Sequence, residues 1–150
     1  MIRSILAVIA GYVAIFLFIF VLFTALYFLL GANASFKPGS YQPSILWLAL
    51  STPLAFVAAG IGGYLCAALS RGKRVPLALA ALVLVLGVIF AVPMLMEPDM
   101  NAVRASDVSN IEAMQKAKEP ASVALTNPFL GAAGVLVGGR LRRKRVAATT

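Results

Sequence analysis

The chain contains no histidine, one cysteine and only five acidic residues, and each shortage removes a class of chemistry. Without histidine, the side chain that most often acts as a general base or metal ligand near neutral pH is missing. With Cys66 as the sole thiol, neither an intrachain disulfide nor a metal site built on paired thiolates can form, and inside an apolar run it reads as a small packing residue. No Ser or Cys nucleophile has an imidazole to pair with, and there is no C-x-x-C and no glycine-rich loop beside a phosphate-binding lysine. The expectation is a protein that is not an enzyme and carries no cofactor.

Charge of either sign is also scarce. Of 150 residues, 12 % are charged and 61 % are hydrophobic, where soluble domains are about half apolar and a quarter charged. Lipid is therefore the expected solvent. Four long apolar runs, at about 5–30, 44–70, 75–96 and 121–141, use up most of the length and leave no room for a separate soluble domain. The fold class read from this pattern is all-α: a single polytopic domain with four transmembrane helices in two antiparallel hairpins. A short amphipathic helix is added in the loop between the third and fourth spans.

The first run is 26 residues, about 39 Å at 1.5 Å per residue, enough to cross a hydrocarbon core of about 30 Å with tilt. Arg3 before it and Ala32-Asn33-Ala34 after it imitate a secretory signal, but the apolar stretch far exceeds a signal's 7 to 15 residues, so an uncleaved anchor is expected. Asn33-Ala34-Ser35 fits the glycosylation pattern but stands too close to the span to serve. Gly, Asn, Ser and Pro around Lys37 mark a turn-rich loop, and Trp47 suits a membrane interface at the start of the second run. Arg71-Gly72-Lys73-Arg74 is a tight basic turn, and Pro76 follows where a missing amide proton costs little.

All five acids, Glu97, Asp99, Asp107, Glu112 and Glu119, fall in the loop 97–120. Within it, Ser109-Asn110-Ile111-Glu112 forms a capping box, Glu112 and Lys116 make an i,i+4 pair, and Pro120 supplies a stop, so a helix over about 110–119 is predicted. Val108, Ile111, Met114 and Ala117 give it a modest apolar stripe for the membrane surface or for the protein's own helix ends. The fourth run is the weakest of the spans, with Asn127, Pro128 and four glycines, and it leads into a basic tail over 140–150.

With four spans, one face of the membrane receives nine basic residues and no acid, and the other receives Lys37, Arg104, Lys116 and Lys118 against five acids. By the positive-inside rule both termini are expected in the cytoplasm, in a plasma (inner) membrane. The size and pattern resemble those of small polytopic proteins of bacterial inner membranes, which implies no activity. Arg71, Lys73, Arg74, Arg140, Arg142, Arg143, Lys144 and Arg145 are expected to meet anionic lipid headgroups, each contributing about 1 kcal/mol near the surface. Because the bases gather beside apolar runs instead of covering a solvated face, the charge of +8 is not read as nucleic-acid binding.

Helices in lipid associate by close van der Waals approach, which small residues four apart allow. Ala59, Gly63 and Ala67 make such a stripe in the second run and Gly134 and Gly138 in the fourth, so these two helices are the expected packing core. Ser51-Thr52-Pro53 with the Ala and Gly that follow is echoed by Thr126-Asn127-Pro128 and its own small residues, with spacings that differ by one; chance likeness of two Gly- and Ala-rich helices accounts for this better than a repeat.

No ionisable side chain stands inside a span, which argues against ion-coupled transport. Asn127 is the polar intramembrane position of most interest, because Pro128 frees a backbone carbonyl one turn earlier; the amide either satisfies that kink or offers a site. Met94, Met96 and Met100, interleaved with Glu97 and Asp99, form a soft-ligand patch for Cu(I), though methionines more often fill gaps. The leading expectation is an accessory or scaffolding subunit or a homo-oligomer that acts by association. The alternative is a small-solute channel or facilitator built around Asn127 and Pro128.

Overall fold

The computed structural model describes residues 2–70, 72, 74–96, 103–104 and 109–148. They form five helices: α1 (Ile2–Ser35), α2 (Ile45–Leu69), α3 (Val75–Met96), α4 (Asn110–Gln115) and α5 (Ala121–Ala147). No strand occurs among the described residues, only isolated bridges from Phe36 to Pro43 and from Ser40 to Val103. Four helices, α1, α2, α3 and α5, are long and apolar enough to cross a membrane. That is the make-up of a multi-pass membrane protein.

Two helices are longer than the apolar runs that announced them. Regular helix in α1 breaks at Gly31, whose φ of 69° and ψ of 171° suit glycine because it lacks a Cβ. Beyond that break Ala32 and Ser35 turn inward and are buried with Phe36 and Tyr41. At the other extreme, α5 does not stop at residue 141 but carries the basic run to Ala147, with Lys144 and Arg145 in its last turn. Lys and Arg are good helix formers, and their charge complements the negative end of the helix dipole.

By contrast α4 is shorter than 110–119. Ser109 Oγ accepts from the Glu112 amide (3.3 Å), the first half of a capping box, and Lys116 Nζ meets Glu112 Oε1 (2.8 Å) as an i,i+4 pair. The helix ends at Gln115, after which the Lys118 amide donates to the Tyr41 carbonyl (3.0 Å). Its packed residue is Ala113, fully buried against the Tyr27, Phe36 and Tyr41 cluster, while Ile111 and Ala117 are exposed. Val108 and the Met114 side chain lie outside the described residues.

Packing is uneven around the bundle. The most extensive contact joins α2 to α5; α1 also packs along α2 and α3 along α5, whereas α1 and α5 do not meet. Along the α2–α5 seam Phe56 stands by Gly134 and Gly60 by Gly138, so residue numbers rise together and the two helices run side by side in one direction. The core over this seam is Ala59, Cys66, Leu79, Ala80 and Val135 with Ala7 and Ile15 of α1. The two ends of the bundle are unlike. Arg3, Arg74 and the basic end of α5 define a tail end, and the 36–44 loop with α4 defines a loop end.

Candidate functional site: a glycine seam and an aromatic cleft

The seam is made at backbone distance. A Cβ on Gly138 would fall onto the Gly60 carbonyl, and one on Gly63 would fall onto the Val135 carbonyl. A Cβ on Gly134 would come within 2.8 Å of the Phe56 carbonyl oxygen and 2.9 Å of Ala59 Cβ. Only glycine lets two helix backbones approach this closely, which is what dispersion-driven association in lipid exploits. The contact is also reciprocal. Seventy-five residues separate Gly63 from Gly138, Gly60 from Val135 and Pro53 from Pro128, so each helix offers a glycine to the same place on the other. Ala67, one turn on from Gly63, is half-buried. Gly60, absent from the stripe read in the sequence, supplies the carbonyl that Gly138 meets.

Where α1 and α5 stay apart, a cavity of about 340 Å³ opens between them, and a second of about 400 Å³ adjoins it between α1, the start of α2 and residues 117–119. Both are bounded by Phe16, Ile19, Phe23 and Glu119, so they form one cleft. Its size is that of a small-molecule site. Towards the bundle centre the walls are Tyr12, Ile15, Val83, Gly87, Ala91 and Gly131; towards the loop end they are Phe20, Thr24, Tyr27, Phe36 and Trp47. Phe16 and Phe20 stack with centroids 6.4 Å apart and are more than half exposed, so the cleft opens sideways past them. From Tyr12 to Tyr27 it follows α1 for about 22 Å at 1.5 Å per residue.

Aromatic rings line the loop end of the cleft edge to face. Trp47 lies 5.8 Å from Phe23 and 6.1 Å from Tyr27, and Tyr27 lies 6.0 Å from Phe36, near the separations such pairs favour. Trp47 is set by the α2 cap, where Ser44 Oγ accepts from the Trp47 amide (3.0 Å) and itself donates to the Ala34 carbonyl. Above this row sits Arg104, 8 % exposed, its guanidinium 5.9 Å from the Phe36 ring and Nη2 donating to Asn33 Oδ1 (3.2 Å). A buried guanidinium on a ring face is a cation–π contact, and the Arg104 amide bonded to the Gly39 carbonyl (2.9 Å) holds it there.

Glu119 is the acid that enters the cleft. Its Oε1 accepts from Asn127 Nδ2 (2.7 Å), and Lys118 stands beside it at the cleft wall. Burial pushes its carboxyl above the usual carboxylate range, against the opposing pull of the Asn127 hydrogen bond. The Lys116 ammonium, fully solvated, is raised by its bond to Glu112.

Of the sequence candidates, Asn127 and Pro128 both line the cleft: Asn127 spends an amide hydrogen on Glu119, and Pro128 packs where a Cβ on Gly87 would reach it (2.7 Å). Arg74, Arg140, Arg142, Arg143, Lys144 and Arg145 stand at the tail end, with Arg142 over the Tyr64 ring at 5.9 Å, while Arg71 and Lys73 lie outside the described residues. The side chains of Met94 and Met96, and Met100, Glu97, Asp99 and Asp107 altogether, also lie outside them, so the thioether patch is not described. Among the described residues no three His, Cys, Asp or Glu side chains come together as a metal site would need.

In the sequence all five acids share the loop 97–120, and Arg104 is one of four bases expected on that face. Glu119 and Arg104 reach the cleft and the Phe36 ring because the 36–44 loop captures the chain on both sides of α4, at Arg104 and at Lys118. The aromatic row had a signal, Trp47 at an interface position, but the spacing of Phe23, Tyr27 and Phe36 reads equally as lipid-facing filler. No family model matches the chain, and no match to a curated protein or a solved structure reaches significance.

Proposed function

We propose that this protein acts by association within the membrane, as an accessory or scaffolding subunit or as a homo-oligomer, without chemistry of its own. The observation that supports this reading is the division of labour among its helices. The α2–α5 seam, locked by glycine, makes a fixed platform, while α1 packs along α2 and leaves Ile9, Val13, Phe16, Leu17, Phe20 and Val21 facing outward. A long apolar face beside a rigid core suits docking against another helix. The small-residue stripe that suggested association is consumed inside the chain, so α1 is the surface this reading relies on.

The pairing of α1 with α2 and of α3 with α5 reads as two antiparallel hairpins, with α4 on the side away from the basic end. The positive-inside bias supports cytoplasmic termini and insertion in a plasma (inner) membrane, with the tail-end bases at anionic headgroups. Extraction in mild detergent followed by native mass measurement tests the association: a defined oligomer or a stoichiometric partner is expected, and a strictly monomeric, partnerless species refutes it.

A facilitator built around Asn127 and Pro128 is the second reading, favoured by one feature, that both residues line the cleft beside Glu119. Its wall along the depth of the bundle is apolar, so this reading requires an apolar solute. Flux into liposomes that is lost in Asn127→Leu supports it; unchanged flux, or none in the wild type, removes it.

A further inference from the structure

We propose that the cleft along α1 is a binding site for a lipophilic ammonium, an amphiphile whose cationic head sits among Phe23, Tyr27, Trp47 and Glu119 and whose tail lies along α1 towards α5. This goes beyond the association reading and does not depend on it. Three observations carry it. Phe23, Tyr27 and Trp47 gather aromatic rings at one cavity, and such rings are the known means of holding an organic ammonium, through the negative charge of their faces, with the attraction largest where water is excluded. Glu119 gives the same cavity a carboxylate whose described side-chain hydrogen bond comes from the uncharged Asn127 amide, so it adds a negative charge at the head position that can pair with an entering ammonium. The cleft then continues from that head position towards the bundle centre between Ile15, Ile19, Val83 and Gly131, an apolar slot open to the side past Phe16.

The chemistry chooses among ligands. An anionic head would meet the Glu119 carboxylate, and a neutral alcohol would gain a hydrogen bond but neither the ring faces nor the charge. An ammonium gains both. The charged and titratable groups around the head position besides Glu119 are Lys118, adjacent in the chain and also at the cleft wall, Tyr27 across from it on α1, and Arg104, whose guanidinium lies over the Phe36 ring; Asn127 on α5 is the uncharged partner of Glu119. Because an ionised Glu119 is the form that attracts the ligand, affinity for ammonium rises with pH through the titration of that carboxyl, whose pKa burial has raised.

The protein carries one tryptophan, Trp47, on the wall of the site, so its fluorescence reports occupancy directly. The full chain in nanodiscs of zwitterionic lipid is titrated with decyltrimethylammonium, with decanol and with decyl phosphate. The expected result is a saturable Trp47 change with decyltrimethylammonium, at least about tenfold weaker in Glu119→Gln and with both other probes. Gln keeps the shape and an oxygen for the Asn127 amide, and unchanged helicity and thermal midpoint certify its fold. A wild type that binds decanol as tightly as the ammonium overturns the proposal without any variant, because the cleft is then only greasy. Equal ammonium affinity in wild type and Glu119→Gln overturns it as well. So does a cleft filled by a neighbouring copy, seen as a dimer in native mass whose Trp47 signal ignores every probe.

Discussion

The seam between α2 and α5 and the cleft between α1 and α5 are two answers to one problem, how a helix meets a neighbour where water offers no drive to exclude. At the seam Gly63, Gly134 and Gly138 remove side chains altogether, and the backbones close until a single methyl group at any of the three would not fit. At the cleft Phe16 and Phe23 line a gap between the helices, and the space stays open. In lipid, residue volume at the contact, more than hydrophobicity, decides whether two helices lock or leave a site. The seam therefore concentrates stability and the cleft is free to vary.

The most severe way to break this contrast is Gly138→Leu. Its side chain would have to occupy the Gly60 carbonyl, so α2 and α5 must part, at a cost of about 3 kcal/mol or more. Loss of helicity at lower SDS fraction, followed by circular dichroism in mixed micelles, is the expected outcome; an unchanged midpoint would mean that the seam does not hold the bundle. Asn127→Leu, at the cleft, removes the hydrogen bond to Glu119 and is expected to lower stability by about 1 kcal/mol in the same titration.

The pH dependence comes next. Burial raises the Glu119 carboxyl in the folded protein, so the folded state keeps that proton to higher pH than the unfolded chain does. Its contribution to stability is full below the unfolded carboxyl's pKa and is lost as pH rises through the folded one. Thermal midpoints of the wild type should fall relative to Glu119→Gln across that window, and parallel curves would show that Glu119 is solvated as in the unfolded chain. The mildest change is Phe20→Ala, which widens the mouth of the cleft at a residue already 61 % exposed. Stability within about 0.5 kcal/mol of wild type is expected, and a larger loss would make the cleft wall part of the core.

The contrast also separates what the sequence could reveal from what it could not. Spans were legible because an apolar run of twenty or more residues has one physical solution in lipid, and the seam was nearly so, because Gly134-x-x-x-Gly138 and Ala59-x-x-x-Gly63 remove bulk at a helical period. The short α4 was legible from its cap, yet its end was not, since the Tyr41 carbonyl that draws off the Lys118 amide comes from a loop 77 residues earlier. The break at Gly31 and the continuation of α5 to Ala147 were hidden for a related reason: hydropathy marks where lipid ends, and helix can go on past it. The cleft was illegible because it is made by an absence of contact. Nothing local to Phe16 or to Glu119 says that α1 and α5 stay apart.

The reciprocity of the seam carries a consequence for how the chain is divided. Gly63 fits the Val135 carbonyl and Gly138 fits the Gly60 carbonyl, so residues 2–70 and 74–148 each bear both a notch and the ridge that fills the other's notch. Neither half is purely host or guest. Severed at the basic turn around Gly72, the two pieces would keep a complete set of mating parts, which makes this one polypeptide, in its logic of assembly, a heterodimer whose subunits happen to be tethered.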